Sequence, residues 1–107
     1  MIKTGVDLRG LQPQLAIAYT IACAIYMKHG VSSCVITSAS DGKHGANSLH
    51  YKGKALDLRT FNVPTPVLPV IVQDLKQALG AQFDTVMEAD HIHLEFDPKE
   101  PEKSGEI

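Results

Sequence analysis

The chain lacks an apolar run long enough to span a bilayer, a cluster of basic residues, cysteines spaced for a metal, and an opening segment of the secretory kind. Each absence removes a class of function. A membrane-spanning helix needs about 20 consecutive apolar residues, so membrane insertion is not expected. Ten Lys and Arg against twelve Asp and Glu leave a formal charge of -2, with the basic residues scattered. The electrostatic footprint of a nucleic-acid-binding protein is therefore missing. Cys23 and Cys34 have no CxxC partner, and they read as core thiols rather than a disulfide. The opening MIKTGVDLRG carries neither an apolar h-region nor a small-residue cleavage site, which places the chain, as made, in a cytoplasm. What is present is 44% hydrophobic and 21% charged over 107 residues, the composition of one globular core and too short for two.

Periodicity divides this length into elements. In PQLAIAYTIACAIYMKHG, Pro13 marks a helix start, Gly30 its stop, and Leu15, Ala18, Ala22 and Ile25 recur at helical spacing. VSSCVITS is short and β-branched and reads as a strand; ASDGKHGANS reads as a loop. In KALDLRT, Leu56 and Leu58 point to one face while Ala55, Asp57 and Arg59 point to the other. Leu68, Ile71, Val72, Leu75 and Leu79 predict a second helix, with Pro69 in its first turn and Gly80 at its end. FDTVMEA and HIHLEF predict two more strands, the second with Ile92, Leu94 and Phe96 inward and His91, His93 and Glu95 outward. The order α, β, β, α, β, β suggests the α+β class: an antiparallel sheet with two helices packed on one face and a cleft on the other. Residues 1–97 form the single domain of this reading, expected to be monomeric, and residues 98–107 a flexible charged tail.

The histidines are grouped. His44 and His50 bracket one loop, and His91 and His93 share one face of one strand. If the strand carrying Asp57 lies beside HIHLEF, a pocket of nitrogen and oxygen donors forms on the face away from the leucines. A catalytic zinc site takes three protein ligands and leaves one position open, and the candidates are His50, Asp57 and one of His91 and His93. Glu88, five residues before His93, is the best-placed free carboxylate to act as general base. Taken singly, these residues have ordinary explanations: a loop histidine, a salt-bridged aspartate, solvated His44 and Lys43, and a turn at Gly53. Their convergence on one face is what points to a metal.

The motifs SLHYKGKALDLR and EADHIHLEF resemble those of the LAS group of zinc peptidases, which includes the D-Ala-D-Ala carboxypeptidases and endopeptidases and the hedgehog signalling domain. The similarity is to the small peptidase domains encoded by bacteriophages and prophages, and it covers roughly residues 36–98. It implies Zn(II) held by His50, Asp57 and His93, Glu88 as general base, and His91 beside the metal as a substrate-positioning or oxyanion-stabilising group. His44 matches a histidine at the rim of the hedgehog site. The arginine that many of these peptidases carry upstream has no counterpart in TSASDGKHG, where Lys43 offers only a point-like ammonium in place of a bidentate guanidinium. The implied substrate is the peptidoglycan stem peptide, reached after membrane permeabilisation by a phage lysis protein or from a virion. The alternative is a zinc-containing module that binds murein or protein without cutting it.

Overall fold

The computed structural model describes residues 2–39 and 54–98. His44, His50 and Lys43, the turn at Gly53 and almost all of the expected tail lie outside the described residues.

Helix α1 spans Pro13–Lys28. Proline at its first position gives up an N–H that a helix start leaves unpaired in any case. Its buried residues, Leu15, Ala18, Ala22, Ile25 and Tyr26, recur at intervals of three and four and form one stripe. Gly30, at φ 82°, takes the left-handed conformation that turns the chain out of the helix. Helix α2 spans Leu68–Leu79 behind a short 3-10 turn at Thr65–Val67, and Gly80, at φ 77°, follows it. Among the described residues no helix is long and apolar enough to cross a membrane.

Four strands, β1 (Ile36–Ser38), β2 (Ala55–Arg59), β3 (Phe83–Met87) and β4 (His91–Phe96), make one sheet in the order β1-β2-β4-β3. Every pairing between them is antiparallel. The N-terminal segment adds an isolated parallel bridge from Ile2 to Ile36, at the start of β1. The expected strand over VSSCVITS shrinks to its last three residues because its earlier carbonyls are taken elsewhere. Ser33 O accepts from the Asn62 side chain and Cys34 O from the Tyr19 hydroxyl, and only from Val35 O, which accepts from the Arg59 N–H of β2, does the pairing begin.

Leu56 and Leu58 of β2 and Ile92 and Leu94 of β4 are fully buried. They join Leu15 and Tyr26 of α1 and Ile71 and Leu75 of α2 in one core. Both helices thus cover the leucine face of the sheet, as the alternation predicts. The buried Tyr26 hydroxyl donates to Arg59 O at 3.0 Å, satisfying a polar group that would otherwise be costly to bury. Cys34 is a buried free thiol, pushed up in pKa by its burial, while Cys23 is half-buried and also free. His29, the histidine outside both clusters, closes α1 onto α2: its Nε2 lies 2.7 Å from Asp74 Oδ2, and Lys28 Nζ approaches the same oxygen at 3.3 Å. Hydrogen bonding from His29 holds the Asp74 carboxyl below its ordinary range.

Candidate functional site

Register fixes what the other face of the sheet carries. Asp57 lies opposite His93 and Arg59 opposite His91 across the β2–β4 pair, and Val86 lies opposite His93 across β3–β4. Alternation then sets Asp57, His93 and Val86 in one row and Arg59 and His91 in the next. Beyond the end of β3, Glu88 donates its backbone N–H to His91 O at 2.8 Å, so it continues the second row across the hairpin. Three of the residues singled out for chemistry, Asp57, His91 and His93, sit together on this face, and Glu88 stands at its edge with an exposed side chain.

Asp57 is the hub. Its Oδ1 is 2.9 Å from His93 Nδ1 and 3.6 Å from His91 Nε2. Each histidine is backed by a second carboxylate: His93 Nε2 lies 2.9 Å from Glu95 Oε1, and His91 Nδ1 lies 2.7 Å from Asp90 Oδ1. With both ring nitrogens facing carboxylates, His93 is held as an imidazolium donating to each. The hydrogen bond to Asp57 is the largest influence, Glu95 adds to it, and burial opposes both; the net result raises His93 to about 9. Without a metal, this contact stabilises the folded chain fully below the ordinary histidine value near 6.5 and loses that contribution as pH rises through about 9.

The spacing of Asp57 from each histidine is compatible with two donors sharing one ion. Ligand atoms about 2.0–2.2 Å from a tetrahedral ion stand about 3.4 Å apart, close to the separations that Asp57 Oδ1 keeps from its two imidazoles. Glu95 behind His93 is the outer carboxylate that metal-bound histidines commonly carry. Asp57, His91 and His93 do not themselves close into a three-ligand group among the described residues. One histidine of the pair therefore partners Asp57, and the third ligand assigned from sequence, His50, is outside the described residues. Since His93 must shed its proton to accept a metal, zinc uptake should strengthen about tenfold per pH unit from pH 6 to 8. Competition with a chromogenic chelator measures this, and a flat profile would remove His93 from the ligand set.

Beside the histidines is an open pocket of about 420 Å³ lined by Lys3, Thr37, Arg59, Phe61, Asp90 and His91. Sequence reading assigned no role to Glu95, Asp90, Arg59 or Lys3. The first three carry a local signal, since each is within two residues of an assigned group, and Glu95 and Arg59 share its face. Lys3 carries none, as it arrives through the bridge of Ile2 to β1. Asp84, Glu95 and Asp97 also bring carboxylate oxygens within 4.8 Å of one another, an all-oxygen set suited to harder cations than zinc. No family model, curated protein or solved structure matches the chain.

Proposed function

We propose that the chain is a zinc-dependent peptidase of the LAS type that hydrolyses amide bonds in peptidoglycan stem peptides. The observation that carries the reading is the convergence of His93 and His91 on Asp57 Oδ1, at 2.9 and 3.6 Å, on the open face of the sheet. That convergence joins two motifs more than thirty residues apart in sequence, and it is the pairing that the resemblance to this peptidase group requires. Support also comes from the carboxylate behind each imidazole, which orients the ring and selects the nitrogen presented to the site.

Zinc held by Asp57, His93 and His50 would supply a Lewis acid to polarise the scissile carbonyl and acidify water. The remaining work falls to the chain. Glu88, across the hairpin from His91, takes the proton of the attacking water and returns one to the leaving amine. His91, its Nδ1 facing Asp90, turns Nε2 toward the site, where it positions the substrate or stabilises the developing oxyanion. Asp57 keeps both rings in place.

Elemental analysis of the purified protein, paired with release of new amines from murein with and without a chelator, tests this. The expected result is about one zinc per chain and release that stops when the metal is removed. Zinc without release on several murein types would favour the non-catalytic binding module. No bound metal after zinc is supplied would end both readings.

A further inference from the structure

The cations in the pocket beside His91 have no work within the described part of the fold. Arg59 makes no side-chain hydrogen bond or ion pair among the described residues, and neither does the Lys3 ammonium. Arg59 is nevertheless held in place: its guanidinium carbon lies 4.6 Å from the centre of the Phe61 ring, a cation–π contact that uses none of its N–H donors on a carboxylate. Phe61 is itself 79% exposed, so the ring is poorly explained as core packing. The acid in the lining, Asp90, is engaged by His91 Nδ1 at 2.7 Å. Among the described residues, Arg59 and Lys3 thus have no ion-pair partner, and the one acid in the lining is turned to His91.

We infer that the pocket between Lys3, Arg59 and His91 binds a carboxylate of the substrate. A guanidinium fork matches a carboxylate in two hydrogen bonds, and an ammonium adds charge without constraining direction. The position gives this pocket a role in specificity. Arg59 and His91 form the row next to Asp57 and His93, and rows on one sheet face are about 6.6 Å apart. One or two extended residues cover that distance. The carboxylate held here is thus near the bond being cut, either the free end of the peptide one residue beyond it or an acidic side chain at that residue. This inference rests on the peptidase reading for its biological meaning, but not for its measurement.

Three small probes separate the possibilities: acetyl-D-alanine, its neutral amide, and acetyl-D-glutamic acid α-amide, which carries only a side-chain carboxylate. Each is titrated into the protein as purified while the His91 ring signals are followed by NMR. At least one carboxylate probe should bind about tenfold or more tightly than the neutral amide, and Arg59→Gln should abolish that preference while zinc content stays unchanged. Lys3→Gln, at an exposed position remote from the core, should weaken the same preference and guards against misfolding of the first variant. Preference for acetyl-D-alanine assigns a terminal carboxylate, and preference for the glutamate probe assigns a side chain. Equal binding of acid and amide, or a preference that survives Arg59→Gln, overturns the inference. A carboxylate preference in a protein that releases nothing from murein would leave the pocket standing and remove the peptidase.

Discussion

Glu88→Gln should retain about one zinc per chain and lose hydrolysis by roughly 10²–10⁴-fold, whereas His93→Ala should lose both metal and activity. The contrast follows from where the two side chains stand. Glu88 is exposed and makes no side-chain hydrogen bond among the described residues, so an amide in its place removes a proton acceptor and little else. Its backbone N–H, which holds the hairpin by donating to His91 O, is unaffected. Surface changes of this kind usually alter stability by no more than about 0.5 kcal/mol. His93 lies between Asp57 and Glu95; alanine there leaves two carboxylates facing each other across the gap, and stability should fall with the metal. Metal content, amine release and melting temperature of the two variants distinguish the roles. Full hydrolysis by Glu88→Gln would mean that another group removes the proton.

Leu94→Ala should cost about 3 kcal/mol and lower Tm by more than about 10 °C. Leu94 has no solvent exposure and lies in the core shared by both helices and the sheet. Its neighbours in sequence are His93 and Glu95, so the cavity opens directly beneath the site. Because a domain of this size has only about 5–15 kcal/mol of stability, the variant should fold at low temperature yet melt early. If zinc binds only the native state, it should restore part of the loss, by an amount that grows with the logarithm of its free concentration above Kd. Thermal melts with and without zinc measure both effects. A melting temperature unchanged from the parent would mean that the sheet does not rest on this core.

Most of the scaffold was legible from spacing and from the residues at element ends, although α1 is apolar on its exposed side too, at Ile17 and Met27. α1 and α2 each show apolar residues at intervals of three and four, with Pro13 and Pro69 at their starts and Gly30 and Gly80 behind them. β4 alternates, and β2 does so from Leu56 onward although Ala55, expected outward, is buried; this was enough to place Asp57 and His93 on one face, while their direct cross-strand partnership depended on a pairing that alternation cannot choose. β1 was overestimated because the sequence does not reveal that Tyr19 and Asn62 side chains occupy the carbonyls of Cys34 and Ser33. Glu95 was visible as an outward residue, but its bond to His93 Nε2 depends on rotamers rather than on pattern. Lys3 was beyond reach: its place in the pocket depends on one parallel bridge between the chain's start and Ile36.

Strand β4 carries core and chemistry in strict alternation, Ile92 and Leu94 on one side and His91, His93 and Glu95 on the other. Such a strand has little tolerance for insertion or deletion. Adding one residue between Ile92 and His93 would exchange the faces of everything after it, sending a histidine into the apolar layer and a leucine into water. Length variation among descendants of this sequence should therefore avoid the six residues from His91 to Phe96, which gain or lose their two functions together, and with them the turn that carries Glu88 and Asp90.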